Sequence, residues 1–411
     1  MKVLVTGGAG FVGSHVVDRL LDDGHAITIV DDLSTGRREL VNPRAALEVC
    51  DIRDPRLGAV MRAAGPEAVV HVAAQAAVSR SVEDPLFDAS VNLLGTISVA
   101  CAAQQVGVRR VVYISTGGAA YGDTDVVPTP EDHPTRATSP YGVSKVAAER
   151  YLECWSGLSG VPVMTLRLAN VYGPRQNPRG EAGVVAIFAH RLVHGEPCVV
   201  NGDGEQTRDY VYVADVADAV ARALGRVEVV GVVNVGTGRE TTVNDLYRRL
   251  AGIARTTVPA QHAPARPGEQ RRSALDATRA RTLLGWTPAT ALDGGLARTF
   301  ADFRDHRGFV NHSATARPGD STNRDPVHQS TGGRSTGSPD RAFASGGARE
   351  TAMIDEELRA ILVCPACKGD LLFEETRIIC PACRKAYPIR DGIPVMLINE
   401  AEPWTPPPHR P

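Results

Sequence analysis

Over roughly its first 310 residues this 411-residue sequence predicts an α/β fold, a doubly wound parallel sheet with a smaller α/β lobe mostly within 173–304. Three observations carry that expectation. Short β-branched runs alternate with helix-length stretches, the pattern of βαβ units. The runs are near-continuously apolar, as strands buried on both faces must be. A glycine-rich turn joins the first run to the first helical stretch, at Gly7–Gly13.

The runs are Lys2–Thr6, Ala26–Asp31, Leu47–Cys50, Ala68–Val72, Arg110–Ser115 and Val161–Leu168; the helical stretches between them include Phe11–Asp23, Pro85–Val106 and Pro140–Gly157. From about Asn311 the texture changes. Segments such as Ser330–Pro339 hold almost no aliphatic residues, so 311–352 is expected to be a disordered linker. A unit over 353–400 follows, too short for a self-sufficient core, and then a disordered tail over 401–411.

Charge is nearly balanced, 45 Lys+Arg against 47 Asp+Glu, so no basic excess points to nucleic acid or an anionic membrane surface. No apolar run is expected to reach the roughly 18 residues of a membrane helix. Glycines interrupt the N-terminal apolar stretch too early for a signal peptide, and a cytoplasmic protein is expected. Of eight cysteines, Cys50, Cys101, Cys154 and Cys198 are scattered and read as small core residues, whereas Cys364, Cys367, Cys380 and Cys383 are clustered.

In the loop Gly7-Gly8-Ala9-Gly10-Phe11-Val12-Gly13, glycines give a tight turn and let backbone N–H groups approach a pyrophosphate at a helix N-terminus. Gly7, Gly10, Phe11, Val12 and Gly13 are therefore candidate cofactor contacts. Asp31 follows Gly13 by 18 residues at the end of the second run. An acid there accepts hydrogen bonds from ribose hydroxyls and favours NAD over its phosphorylated form. Asp51 and Ile52 would flank the adenine, and small Ala73 would let the cofactor pass. His71 is expected to pack rather than titrate.

Tyr141 and Lys145 are four apart on a helix that starts after Pro140, so they share one face. An ammonium beside a phenol favours the phenolate, and Tyr141 is expected to titrate well below about 10. Upstream, Ser115-Thr116 ends a strand on the side where such sheets bind ligands.

These motifs identify residues 1 to about 305 as similar to the extended short-chain dehydrogenase/reductases, a Rossmann-type family, and within it to the UDP-glucose 4-epimerase-like members. Gly7–Gly13, Asp31, Asp51-Ile52, His71–Gln75, Asn92, Ser115–Gly122, Tyr141–Lys145, Arg167–Pro174, Gly202–Tyr210 and Arg266–Glu269 carry the resemblance. It implies a tightly held NAD, contacted also by Asn92, and a UDP-sugar substrate oxidised at C4 and reduced from the opposite face. Tyr141 would be the base and Lys145 its partner, with Thr116 or Ser115 completing the triad. Many epimerases place that hydroxyl where Gly117 stands here. Residues 117–120 bring no acid between the hydroxyl and Tyr121, unlike the family's dehydratases and decarboxylases. Asn170, Arg208, Arg266 and Glu269 would bind the nucleotide diphosphate and ribose. Small Ser273 would leave room for an N-acetylated sugar. The resemblance also implies a homodimer built from Pro85–Val106 and Pro140–Gly157.

Cys364-Pro-Ala-Cys367 and Cys380-Pro-Ala-Cys383 are separated by 12 residues, a spacing that places four thiolates around one structural zinc; two disulfides are the rival pairing. The surrounding residues, among them Ala386–Met396, resemble a family of small zinc-ribbon proteins, some of which bind methyltransferases. A similar protein partner is implied. The apolar Ile393–Leu397 reads either as its docking edge or as the ribbon's own core.

Overall fold

The computed structural model describes residues 1–179, 183–265, 270–306, 362, 364–367, 369–374, 376–390, 393–394 and 401–405. The chain divides into two compact units, 1–318 and 319–411. The expected linker over 311–352 lies outside the described residues.

In the first unit, β1 (Lys2–Thr6) leads through the glycine turn into α1 (Phe11–Asp22), then β2 (Ala26–Asp31) and β3 (Ala46–Val49). After α2 (Leu57–Ala64) comes β4 (Ala68–His71), followed by α3 (Val78–Glu83), α4 (Pro85–Ala89), a π-helical turn at Ser90–Gly95 and α5 (Thr96–Gln105). Then follow β5 (Arg110–Thr116), the short α6 (Gly118–Tyr121), the long α7 (Pro140–Ser159) and β6 (Val163–Leu168). Gly231–Val235 supplies the last strand, and the seven run parallel in the order Gly231–Val235, β6, β5, β4, β1, β2, β3. Strand order reverses between β1 and β4, which makes a crevice at their carboxyl ends.

Helices cover both faces. Val16, Val17 and Leu20 of α1 join Val216, Val220 and Leu224 on one side, and Met61, Val99, Ala103 and Leu152 fill the other. Central strands β4 and β6 are buried at every residue, as the unbroken apolar runs implied. Beyond β6 a smaller lobe packs Phe188, Tyr172, Tyr212, Leu246 and Leu250 into its own core.

Three expectations change. First, 85–105 is long and apolar enough to cross a membrane by length and composition. In the fold it is a core element: Asp88, Asn92 and Thr96 are buried, and Asp88 and Asn92 bond across to α7. Nor is it one α-helix, because the wide turn interrupts it. Second, of the scattered cysteines only Cys50 and Cys198 are buried; Cys101 and Cys154 are exposed. Third, the expected tail includes a strand, with Glu402–Pro403 pairing antiparallel to Lys385–Ala386.

The second unit is a small antiparallel sheet of Leu372–Phe373, Arg377–Cys380, Lys385–Arg390, Ile393–Pro394 and Glu402–Pro403. Ile378 and Tyr387 pack with Cys364 and Cys380 in its core. Ile393–Pro394 pairs with Ile389–Arg390, so this part of the apolar segment belongs to the ribbon's own sheet. Residues 395–397 lie outside the described residues.

Candidate active site

The glycine turn is shaped by contacts that exclude side chains. Gly7 has φ +70°, and a Cβ there would lie 2.6 Å from the Ala73 nitrogen; a Cβ at Gly13 would lie 2.0 Å from the Gly7 oxygen. Helix α1 starts at Gly10 with no side-chain cap, so the N–H groups of Phe11, Val12 and Gly13 face the crevice without intrahelical acceptors. An anion is the natural partner of that surface. Asp31, buried at the end of β2, accepts from the Ala9 N–H at 2.9 Å and the Leu33 N–H at 2.9 Å. Burial raises its pKa, and those two bonds oppose the rise. It therefore braces the glycine loop. Asp51 is held by Arg53, while Ile52 is buried against Gly95.

Asn92 is buried and bonded within the fold. Its Oδ1 accepts from the Gln75 N–H at 2.9 Å, and its Nδ2 donates to Gln75 O and Asp88 Oδ1 at 2.9 and 3.0 Å. Its described role is to fix the loop after β4. His71 is likewise structural. Thr96 donates to Asn92 O at 2.6 Å, so its oxygen accepts from His71 Nε2–H at 2.9 Å, and His71 Nδ1 accepts from Thr6 at 2.7 Å. Burial, then the Lys145 charge, lowers the His71 pKa to about 3. An unfolded histidine takes its proton near 6.5, so the unfolded state binds more protons through the interval between the two values. Stability is therefore expected to fall as pH drops from 6.5 toward about 3, by up to roughly 4 kcal/mol. Denaturant midpoints against pH for wild type and His71→Gln test this; equal slopes would remove His71 as the source.

The two candidate hydroxyls separate cleanly. Ser115 Oγ, buried, donates to Glu149 Oε1 at 2.5 Å, and Glu149 is clamped by Arg167 at 2.6–3.2 Å. Arg167 continues to the Tyr121 phenol at 2.9 Å, and Tyr121 donates to Asn234 Oδ1 at 2.9 Å. Both members of the ion pair are buried, and removing either partner alone would leave an uncompensated charge. Thr116, by contrast, lies close to the Tyr141 phenol and favours its charged form.

Ser139 caps α7 by accepting from the Gly142 N–H, and Pro140 occupies the first turn, so Tyr141 sits at a fixed helix start. The expected depression of the Tyr141 pKa is not found. Burial raises it to about 12, against the pull of nearby Thr116, with the Asp88 charge adding to the rise. Lys145 lies four residues on, but its Nζ donates to Ile114 O at 2.8 Å and lies 4.3 Å from the Tyr113 ring centre. Burial lowers the Lys145 pKa to about 7, opposed by Glu149 and then Asp88.

On the lobe side, Asn170 is exposed beyond the carboxyl end of β6, its N–H donated to Asp209 O. Arg208 donates to Thr207 O and Gln270 O at 2.7 and 2.8 Å. Ser273 is buried over the catalytic loop: a Cβ at Gly118 would lie 3.2 Å from its Oγ, and one at Gly117 would meet Leu275 at 2.5 Å. Arg266 and Glu269 lie outside the described residues. Asp209, Glu149 and Asp88 were not singled out in the sequence. Asp209, buried, accepts from the N–H groups of Thr237, Gly238 and Leu275 and so seats the lobe loops beside Gly117. Glu149 carried a signal, the next helical turn after Tyr141 and Lys145; Asp88 carried none.

In the second unit the four cysteine sulfurs lie within 4.8 Å of one another. Cys364–Cys383 and Cys367–Cys380 are 3.4 and 3.5 Å apart, too far for S–S bonds of about 2.05 Å. Four thiols converging on one point fit a tetrahedral zinc, which closes the site with no open position.

A glycine turn at the switch point, a buried acid at the end of β2, and Tyr141 and Lys145 of α7 close to Thr116 at the carboxyl end of β5 define the first unit as a dinucleotide-dependent enzyme of the Rossmann class. Residues 3–236 match the NAD dependent epimerase/dehydratase family, and residues 355–392 match the Trm112p-like proteins. The UDP-glucose 4-epimerase of Mycolicibacterium smegmatis is 47% identical over 310 residues, 74% of this chain and 99% of that protein. The solved UDP-glucose 4-epimerase of Thermotoga maritima, with UDP-glucose, has a TM-score of 0.72 at 44% identity and covers 74% of this chain and 99% of that one. That of Thermus thermophilus, in complex with NAD, has a TM-score of 0.71 at 42% identity and covers 74% and 100%. The chain belongs to the NAD-dependent epimerase/dehydratase family.

Proposed function

We propose that the protein is an NAD-dependent nucleotide-sugar 4-epimerase acting on UDP-glucose and UDP-galactose, with N-acetylated forms also admitted. The observation that carries this is the placement of the Tyr141 phenol beside Thr116 at the carboxyl end of β5, in a loop that holds no acid between Thr116 and Tyr121. NAD, seated on Gly7–Gly13 and Asp31, supplies a hydride acceptor that returns what it takes, so no external redox partner is consumed. Beside the positive charge of a bound oxidised nicotinamide, Tyr141 would more readily lose its phenol proton to solvent, and the Tyr141 phenolate would then take the proton of the sugar C4 hydroxyl and later give it back. Thr116, not Ser115, supplies the accompanying hydroxyl, because Ser115 is committed to Glu149. Asn170 and Arg208 face the nucleotide.

The test is proton NMR of the purified protein with UDP-glucose, UDP-galactose and their N-acetyl forms, without added NAD. Interconversion supports the reading and retained cofactor together; NAD-bound protein that changes none of them overturns it. Ser273→Tyr is expected to lower turnover of N-acetyl sugars at least about tenfold while sparing UDP-galactose. Full activity on both would remove Ser273 as the gate.

Helices α5 and α7 leave Cys101, Tyr151 and Leu158 exposed, with Leu94 beside them on the π-helical turn, which supports a homodimer through this face. Separate thiols support a reducing, cytoplasmic setting. The Trm112p-like unit supports a protein partner of the methyltransferase kind.

A further inference from the structure

Asp88 is 1% exposed, yet among the described residues it has no cationic hydrogen-bond partner. Its Oδ1 accepts from Gln75 Nε2 at 2.9 Å and Asn92 Nδ2 at 3.0 Å; Ser144 Oγ lies 2.6 Å from its Oδ2. One carboxylate thus joins the loop after β4, the π-helical turn and the catalytic helix, at the residue preceding Lys145.

The other groups around Lys145 bring little net charge. Glu149 is neutralised by Arg167. His71 is neutral and bonded to two threonines. The Tyr113 and Tyr141 phenols are protonated. The Tyr121 hydroxyl on α6 is bonded to Asn234. On α3, Arg80 and Glu83 are exposed, and the Arg80 guanidinium lies over the Phe87 ring, as does Arg53. On β5, Arg110 is spent on the carbonyls of Ala223, Val227 and Val229. Cys101 on α5 is exposed. An uncompensated buried anion acts at long range in such surroundings.

We propose that Asp88 is a positioning residue for the Tyr141–Lys145 pair: it fixes α7 against the cofactor-side loop and supplies the negative charge that Lys145 faces inside the fold. The direction of the electrostatic effect agrees, since Asp88 favours the charged form of Lys145 and opposes that of Tyr141. The role in catalysis rests on the epimerase reading; the electrostatic coupling does not.

Asp88→Asn isolates the charge. The amide oxygen keeps the bonds from Gln75 and Asn92, its nitrogen donates to Ser144 Oγ, and the Ser144 hydroxyl turns to Tyr141 O, already 3.0 Å away. The chain has four lysines, Lys2, Lys145, Lys368 and Lys385, so NMR of labelled lysine ε-carbons gives a spectrum in which Lys145 is identified by its absence from Lys145→Met. In the full-length protein the Lys145 midpoint is expected to move to lower pH in Asp88→Asn by roughly half a unit or more, with the other three unmoved. The pH profile of turnover should move the same way. An unmoved Lys145 midpoint overturns the proposal, including the case in which activity falls and Asp88 is merely structural. Asp88→Ser, neutral and smaller, replaces the amide variant if that does not fold, and is read the same way. A wild type that turns over no sugar while the midpoint still shifts overturns the epimerase reading and leaves the coupling standing.

Discussion

Tyr141→Phe is expected to lower kcat by about a thousandfold while the protein keeps its fold and its NAD. The ring stays, so packing at the start of α7 is preserved, and only the phenol oxygen near Thr116 is lost. The effect arises because no neighbouring group can replace it. Ser115 is tied to Glu149, His71 is locked between Thr6 and Thr96, and residues 117–120 bring no acid. The measurement is steady-state turnover of UDP-galactose beside NAD content and a thermal melt. Turnover within about tenfold of wild type, with NAD still bound, would place the proton transfer elsewhere.

Removal of zinc is the second large effect, and it falls on the other unit. The ribbon's described buried apolar residues are Cys364, Ile378, Ile379, Cys380, Ala386 and Tyr387, with a few half-buried neighbours, too little apolar surface to fold a sheet alone. Structural zinc in comparable peptides contributes roughly 10–16 kcal/mol of apparent folding free energy. A strong chelator, or Cys380→Ser, is therefore expected to collapse the dispersed amide NMR signals of the strands at Arg377–Cys380 and Lys385–Arg390. Turnover by the first unit should persist, since its candidate site residues all precede Asp276. Dispersed ribbon signals in metal-free protein would show that the four thiols are not its staple.

Much of the first unit was legible because glycine and proline punctuate it. β1, α1 and β2 begin and end within a residue of where the pattern placed them, since Gly7–Gly13 permits no other local geometry. The cofactor side of the site followed from the same loop. Helical spacing found Tyr141 and Lys145 but not the sign of the Tyr141 shift. Spacing reports that two side chains share a face, not that Ile114 O claims the ammonium or that burial outweighs it. The wide turn inside 85–105 was hidden because apolar periodicity averages over it. Asp88 and Asp209 were hidden for a different reason: their partners, Ser144 and Leu275, are 56 and 66 residues away. Only the fold brings them together.

The π-helical turn at Ser90–Gly95 gives this stretch one place where chain length can change. Such a turn holds about one residue more than an α-helical turn over the same path. A single-residue deletion there would be absorbed as the turn closes to ordinary winding, with the helices on either side still in phase, whereas a deletion within α5 would rotate the residues before it by about 100° relative to those after it. Asp88 would keep its place over Ser144 and Gln75 in the first case and lose it in the second, and apolar swaps at exposed Leu94 would leave that alignment intact. Related chains should therefore vary in residue type at the exposed positions of this helix, hold Asp88, Asn92 and Thr96, and carry a one-residue difference in length at the wide turn rather than in α5.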